Sequence, residues 1–361
     1  MGYVLSIILQ NISWIFDKSK FLKYLMIFIS GFTLVNYFVG TDGRTTLDYS
    51  VYESQYYANS DYFERFYNLL VHLSNSVGLN YVEFRLSISI IAVIIFLLAI
   101  VRLTNNVSIA IMGYFISSYL VDIVQIRQFL MLGFILLGLS FLKLDSVVGS
   151  IFGYASMFVG TQFHSLGWIF FLFSPLVFVS LKKQREWLPI ISGIILFIIA
   201  LFYVLPKSLL LKLTATVLNL LSSRENIVDN VNTVYSNGSG IKVWFLLFVI
   251  SMVALLIGCF SKNIVMNEKN AQVLMYSIYI LLISILLTFM SVDYVRLSRS
   301  GVVLFVLFIT NFDTFRNKVL IWSSVTFISI LSIYLQIGVV YQTSGRMVPY
   351  LLHFINENIV K

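Results

Sequence analysis

Long, uninterrupted runs of apolar residues dominate the chain and alternate with shorter polar stretches. A bilayer core about 30 Å thick is crossed by roughly 20 helical residues. Because the runs lack the alternation of polar and apolar positions typical of barrel strands, they predict helices. We therefore expect an all-α polytopic membrane protein, a single integral membrane domain over residues 1–361, with about 11 transmembrane helices. The predicted spans are residues 22–39, 85–101, 107–121, 128–142, 146–163, 166–181, 188–205, 242–260, 272–291, 300–312 and 318–340.

Two longer polar segments interrupt this pattern. Residues 40–80, between the first two spans, are rich in acids and tyrosines, and we interpret them as a loop at one membrane face. Its tyrosines would either stack on sugar rings or form an interfacial aromatic belt, which is the commoner arrangement. Residues 206–241 carry leucines at helical spacing and end in SNGSG, which indicates an amphipathic surface helix followed by a loop. The pattern leaves open whether this second segment gates a site or only connects two spans.

Composition supports the membrane assignment. Apolar residues make up 59% of the chain and charged residues only 11%, with a mean hydropathy of +0.92. Soluble domains have about a quarter charged residues. The net charge of +8 fits cationic loops facing anionic headgroups, so we expect no nucleic-acid partner. A single cysteine excludes an intramolecular disulfide and a Cys-based zinc site.

The distribution of cations predicts an orientation. If the spans alternate, lysine-rich segments such as those around Lys20, Lys143 and Lys183 share one side, which we assign to the cytoplasm. The amino terminus then lies inside and the carboxyl terminus outside, with residues 40–80 and 206–241 on the outer face. Arginine predominates over lysine on that outer face. Guanidinium groups there would either recognise phosphate or anchor helix ends at headgroups.

Three residues on the predicted outer face are candidates for acid-base chemistry. Asp42 follows the first span directly, and Glu64 lies in DYFERFYNLL, where the apolar spacing indicates a short helix. Carboxylates at the mouth of a helical bundle can orient or deprotonate a hydroxyl group, although each could also be a solvated loop charge. His164 connects two spans, either as an acid-base group or as a hydrogen-bonded turn residue.

Three arginines on the same face are candidates for phosphate binding. Arg127 opens a helix that is otherwise apolar, so it must snorkel, pair with an acid or hold an anion. Arg296 and Arg299 are three residues apart, on one helix face, as a two-pronged phosphate clamp requires. The three histidines lack the close spacing of known zinc helices, so we predict no metal site.

Several of these residues lie in segments that resemble the EpsG-like, Wzy-type polymerases of bacterial surface polysaccharides. The segments occur in the family's order along most of the chain. They are GTD at 40–42, FERFYNLLVHLS at 63–74, QIRQFLMLGFILLGLSFLK at 125–143, FVGTQFHSLGWIF at 158–170, DYVRLSRSG at 293–301 and VPY at 348–350.

This resemblance implies a helical membrane enzyme similar to integral-membrane GT-C-type glycosyltransferases. Such an enzyme transfers the growing glycan from undecaprenyl diphosphate to the next lipid-linked repeat unit of a capsular, exo- or O-antigen polysaccharide. Asp42 or Glu64 would orient or deprotonate the acceptor hydroxyl, and His164 would assist either this task or the binding of the leaving diphosphate.

The resemblance also implies how the leaving group is held. Arg127, Arg296 and Arg299 would bind the diphosphate, whose developing charge preplaced guanidinium groups stabilise without a cofactor. The expected partners are an undecaprenyl diphosphate-linked oligosaccharide, membrane lipid, a chain-length regulator and a flippase.

Two alternative functions stay open at the level of sequence, a lipid-linked oligosaccharide flippase and an O-antigen ligase-like transferase. The chain has no repeated halves and no matching broken helices, which disfavours a transporter. A ligase shares the donor chemistry of a polymerase. We expect a multi-pass protein of the bacterial cytoplasmic membrane with its active site facing outward.

Overall fold

The computed structural model describes residues 2–15, 20–40, 47–204, 241–261, 267–290, 292–312 and 314–340, together with residues 209, 212 and 216. Within these ranges every element of regular secondary structure is a helix. The helices are α1 (Gly2–Ile15), α2 (Lys20–Gly40), α3 (Leu47–Tyr57), α4 (Arg65–Ser76), α5 (Tyr81–Leu103), α6 (Val107–Asp122), α7 (Ile126–Leu142), α8 (Val147–Thr161), α9 (Gly167–Phe178), α10 (Leu181–Val204), α11 (Ile241–Phe260), α12 (Glu268–Met290), α13 (Val295–Ile309) and α14 (Thr314–Ile333).

Three helices depart from regular α geometry. The irregular stretches are a π turn in α6 (Phe115–Tyr119), a 3₁₀ turn at the end of α9 (Ser174–Phe178) and a π extension of α14 (Tyr334–Val340).

The predicted spans are confirmed as helices. Each predicted span coincides with one helix among α2 and α5 to α14. Helix α13 begins at Val295, five residues before the expected start of its span. Five described helices are long and apolar enough to cross a membrane, those over Tyr81–Leu103, Leu181–Leu201, Ile241–Phe260, Glu268–Thr288 and Asn317–Val340. Shorter apolar helices accompany them, and the protein is an all-α polytopic membrane protein.

Local sequence explains where α5 and α8 begin and how closely α7 packs against α8. Asn80 and Glu83 form a capping box at the start of α5: the Asn80 side chain accepts from the Glu83 N–H at 3.0 Å, and Glu83 Oε2 accepts from the Asn80 N–H at 2.8 Å. Ser146 caps α8 by a single bond, in which its side chain accepts from the Gly149 N–H at 3.0 Å. Gly138 allows α7 and α8 to approach closely, since a Cβ there would lie 2.7 Å from the Gly153 carbonyl oxygen.

The bundle has a buried centre and an apolar exterior. Helix α13 is buried almost along its whole length, as is the first half of α6, and both α6 and α12 pack against α13. Large apolar side chains such as Phe197, Phe245 and Phe327 are exposed on α10, α11 and α14. In a bilayer these exposed side chains contact lipid tails.

The segment predicted as a polar loop contains two helices, α3 and α4. We call residues 47–80, between α2 and α5, the insert. The predicted amphipathic helix and loop at 206–241 lie outside the described residues, apart from residues 209, 212, 216 and 241.

Candidate active site

Polar side chains connect neighbouring helices and turns at both ends of the bundle. One end carries the insert, the α6–α7 turn, the α8–α9 turn and the start of α13; we call it the insert end. The opposite end carries the α5–α6 and α13–α14 connections, where Asn311 donates to the Leu103 carbonyl and Asn106 to the Thr310 carbonyl. The residues predicted to share the outer face, as far as they are described, lie at the insert end.

An ion pair between Glu64 and Arg127 joins the insert to the bundle. Arg127 Nη1 contacts Glu64 Oε2, and the two side chains are only 5% and 6% exposed. The other carboxylate oxygen of Glu64 accepts from the backbone N–H of Ser165 at 3.3 Å, in the α8–α9 turn. Among the alternatives open to an arginine at the start of an apolar helix, pairing with an acid is therefore confirmed. The pair brings together a carboxylate and a guanidinium predicted to have different tasks.

Aromatic rings enclose the Arg127 guanidinium. Its Cζ lies 4.3 Å from the ring centroid of Phe63, 5.4 Å from that of Tyr52 and 6.0 Å from that of Tyr67. Arg127 Nε also donates to the Tyr52 hydroxyl at 2.9 Å. Asn68 fixes the backbone of Phe63 by donating to its carbonyl at 2.7 Å and accepting from its N–H at 3.1 Å. Cation–π contacts of this kind favour the charged guanidinium in a site with little water.

The tyrosines of the insert have a different role from the one expected. Tyr49, Tyr52, Tyr56 and Tyr67 are buried and pack on one another or on aromatic residues of α5. The interpretation as an interfacial belt is thus wrong for these four residues, and their faces are occupied by protein. Burial raises the pKa of Tyr67 well above its usual range, so the phenol beside Arg127 stays neutral.

A second buried ion pair lies between α6 and α13. Arg299 Nε is 3.0 Å from Asp122 Oδ1, with the side chains 1% and 2% exposed. Arg299 Nη2 donates to the side-chain oxygens of Gln125 and Gln128, both at 2.7 Å. Gln128 in turn donates to the carbonyl of Arg296 at 2.8 Å. This cluster binds the start of α13 to the α6–α7 turn, and the π turn of α6 directly precedes it.

Arg85 is a residue that the sequence reasoning did not select as part of the site. Its guanidinium is buried and donates to the Phe38 carbonyl at 2.5 Å, the Ile123 carbonyl at 2.7 Å and the Tyr81 hydroxyl at 3.3 Å. The signal that could have found it is a charged residue within the first turns of a transmembrane helix. Arg85 satisfies a carbonyl of the buried α6–α7 turn, which a membrane interior requires. It thereby positions the turn that leads into Arg127.

The guanidinium groups of Arg296 and Arg299 pair with different carboxylates, although a two-pronged clamp was expected of them. Arg296 contacts Asp293 at 3.5 Å, and both side chains are about 30% exposed, whereas Arg299 is buried against α6. Two residues that are three positions apart on an α-helix differ by about 60° in direction around the helix axis. This difference suffices to direct the Arg299 side chain inward and the Arg296 side chain toward the edge of the bundle. Of the two, Arg296 is the more accessible to a ligand.

The remaining predicted residues stand as follows. His164 is partly buried in the α8–α9 turn, and its Nδ1 accepts from the Leu166 N–H at 3.2 Å, as expected of a turn histidine. This bond leaves the proton on Nε2 in the neutral ring. His164 directly precedes Ser165, which contacts Glu64, so it lies near the ion pair. Asp42 lies outside the described residues.

The insert end therefore combines cations, carboxylates and neutral phenols in a largely buried setting. Within the described ranges, no three His, Cys, Asp or Glu side chains gather as metal ligands would. The arrangement can hold an anionic group on Arg127 and Arg296 while a carboxylate stands beside it.

Comparison with known proteins identifies the family. A model of the EpsG family matches residues 20–352, a range that includes the insert, both ion pairs and the α8–α9 turn. No curated protein and no solved structure matches the chain.

Proposed function

The chain belongs to the EpsG family and is a membrane protein of polysaccharide biosynthesis, and we propose that it is the polymerase of a bacterial surface polysaccharide. It transfers the growing glycan from undecaprenyl diphosphate to the next lipid-linked repeat unit. The acceptor hydroxyl oxygen forms a bond with the anomeric carbon of the donor sugar. The bond from that carbon to the diphosphate oxygen breaks, and its electron pair leaves with the diphosphate.

The observation that supports this proposal best is the buried Glu64–Arg127 pair at the insert end. A transfer of this kind needs a base for the acceptor hydroxyl and fixed positive charge for the leaving diphosphate, and it needs both within one small site. Glu64, with Asp42 as the second candidate, takes the proton. Arg127 holds the diphosphate, and the partly exposed Arg296 assists.

We assign a supporting task to Arg299 and to His164. Arg299 is 1% exposed and engaged with Asp122, Gln125 and Gln128, so it holds the α6–α7 turn in place and acts on the diphosphate through Arg127. His164 keeps the α8–α9 turn in the shape that presents the Ser165 N–H to Glu64.

The proposal includes an orientation. The lysine-rich loops lie on the cytoplasmic side, and the insert end faces outward, where lipid-linked repeat units become available after flipping. A flippase and a chain-length regulator are the expected protein partners, with the cytoplasmic membrane as the location.

The experiment that tests the function is deletion of the gene in a host that has no second polymerase gene, followed by analysis of surface glycan length. We expect long polymer to disappear and single repeat units to accumulate on the surface. Persistence of long polymer contradicts the proposal. Loss of surface glycan of every length, with repeat units kept inside the cell, indicates a flippase, and polymer that stays on its lipid carrier indicates a ligase.

Complementation then decides which carboxylate is the base. The deletion strain receives Asp42→Asn or Glu64→Gln in place of the wild-type gene, with protein levels in the membrane compared. The base is the residue whose amide variant gives single repeat units at a normal protein level.

A further inference from the structure

We infer that Glu64 and the diphosphate of the donor compete for Arg127, so that donor binding itself releases the carboxylate that accepts the proton. This inference rests on the proposed transfer reaction. It adds an order of events: the ion pair is the resting state, and the exchange of one anion for another activates the site.

Both oxygens of Glu64 are engaged in the resting state. Oε2 contacts Arg127, and Oε1 accepts from the Ser165 N–H. These two contacts leave other lone pairs on the oxygens, but the side chain is only 5% exposed, so a sugar hydroxyl cannot reach them while the pair is closed. Glu64 must therefore leave Arg127 before it can act as a base.

The position of Glu64 in the chain shows that its side chain serves the pair rather than the local helix. Glu64 is the N-cap residue of α4, with an extended backbone at φ −69° and ψ 153°, yet its side chain makes no capping hydrogen bond. Acidic side chains at a helix start commonly bond to the exposed N–H groups of the first turn. Here the carboxylate reaches across to the bundle instead.

Arg127 is built to exchange one anion for another. Its bonds to Tyr52 and Glu64 use two of the five N–H donors of a guanidinium. The rings of Phe63, Tyr52 and Tyr67 stabilise its charge without using those donors, so the cation persists when Glu64 departs. A diphosphate matches the planar donor fork as a carboxylate does and carries more negative charge.

The two members of the pair also belong to different parts of the molecule. Arg127 is fixed in the first turn of α7, whereas Glu64 ends the non-helical stretch between α3 and α4. Separation of the pair therefore requires only that the Glu64 side chain turns away from Arg127, while the rings of Phe63, Tyr52 and Tyr67 keep their places around the guanidinium. After transfer, Glu64 passes its proton to water and, as an anion, displaces the undecaprenyl diphosphate product from Arg127.

Direct binding of undecaprenyl diphosphate to purified full-length protein in detergent tests the exchange. Glu64→Gln keeps the shape of the side chain and an acceptor for the Ser165 N–H but removes the competing charge. If the pair is closed in roughly nine molecules of ten, this variant binds the lipid diphosphate about tenfold more tightly than wild type, because the whole population is then competent. Polymer formation by the same variant falls strongly.

Asp61→Asn is the matched control. It removes the same charge from the same insert, but Asp61 is 77% exposed and contacts His72 rather than Arg127. We expect wild-type affinity from this variant. Undecaprenyl monophosphate and free pyrophosphate serve as further ligands, and the gain in Glu64→Gln should be largest for the diphosphate lipid and present for pyrophosphate.

The outcomes separate the two proposals. Unchanged or weaker diphosphate binding by Glu64→Gln, in protein whose melting temperature shows it to be folded, overturns the exchange. An equal gain in diphosphate affinity in Asp61→Asn also overturns the exchange, because the gain would then follow from the loss of any negative charge in the insert. Glu64→Ala provides a second variant if Glu64→Gln folds poorly. Failure of wild-type protein to bind any diphosphate lipid contradicts the proposed function itself.

Discussion

Among the described residues, two buried arginine–carboxylate pairs lie at the same end of the bundle, and they differ in what surrounds them. Arg299 and Asp122 both lie on helices of the bundle core, and the side-chain oxygens of Gln125 and Gln128 accept from the guanidinium. Arg127 lies in the bundle, but Glu64 comes from the insert, and aromatic rings rather than amides surround the cation.

This difference teaches that burial alone does not assign a role to an ion pair. A buried pair costs desolvation and is weak evidence for stability, so each pair needs a reason to persist. The Asp122–Arg299 pair joins two core helices and, together with Gln125 and Gln128, fixes a turn. The Glu64–Arg127 pair has a partner that can move and donors that remain available, which suits ligand exchange.

Replacement of Arg127 by alanine should give the largest effect. The variant leaves Glu64 as an unpaired buried charge, a change that typically costs about 3–5 kcal/mol of folding free energy, and it removes the proposed diphosphate contact. We expect no long polymer in the complemented deletion strain, as measured by gel analysis of surface glycan.

Arg127→Lys is the control for this experiment, because it keeps the charge but loses the planar fork. It should restore the amount of protein in the membrane and only part of the polymer length. Wild-type polymer in Arg127→Ala at a normal protein level would contradict the role given to this residue.

Disruption of the Asp122–Arg299 pair should lower the stability of the protein rather than prevent the transfer reaction. Asp122→Asn leaves Arg299 as an unpaired buried charge and should lower the free energy of unfolding by about 3–5 kcal/mol. The double variant Asp122→Asn with Arg299→Gln should regain much of this loss, because no unpaired charge remains. The measurement is the melting temperature in detergent, together with polymer formed per folded molecule. A double variant that is fully folded yet as inactive as Arg127→Ala would place Arg299 in the reaction and erase the contrast.

The sequence predicts the helices of the fold more completely than it predicts the contacts of the site. The helices follow from composition because a membrane interior forces each apolar run to satisfy its own backbone, as at α7 and α12. The presence of a partner for Arg127 follows from the same reasoning, since a charge that opens an apolar helix must be compensated. The identity of the partner does not, because Glu64 and Arg127 are 63 residues apart and meet only through tertiary packing.

The insert illustrates the limit most clearly. A polar segment rich in tyrosine is typical of an interfacial aromatic belt. No local sequence pattern indicates that Tyr52 and Tyr67 turn inward around a guanidinium. Arg85 was visible as a charge at the start of a span, but its task depends on carbonyl groups of α2 and of the α6–α7 turn. Such contacts join elements distant in sequence.

Arg85→Lys should have an intermediate effect on both stability and polymer length. A single ammonium cannot reach the Phe38 and Ile123 carbonyls and the Tyr81 hydroxyl together, so at least one buried acceptor loses its donor. The expected cost is about 1–3 kcal/mol in the free energy of unfolding. A melting temperature equal to that of the wild type would show that Arg85 does not hold the α6–α7 turn.

The exposed pair at the same end should give the smallest effect. Asp293 and Arg296 are 3.5 Å apart, and both side chains are about 30% exposed, so solvent screens their attraction. Asp293→Asn should therefore change the free energy of unfolding by about 1 kcal/mol at most. If Arg296 assists diphosphate binding, the loss of its carboxylate partner slightly favours the diphosphate, and affinity for undecaprenyl diphosphate should rise by much less than in Glu64→Gln. The binding assay that tests the exchange also measures this difference, with Asp61→Asn as the common control. A gain in Asp293→Asn as large as that in Glu64→Gln would mean that Arg296, rather than the ring-enclosed Arg127, is the cation for which the anions compete.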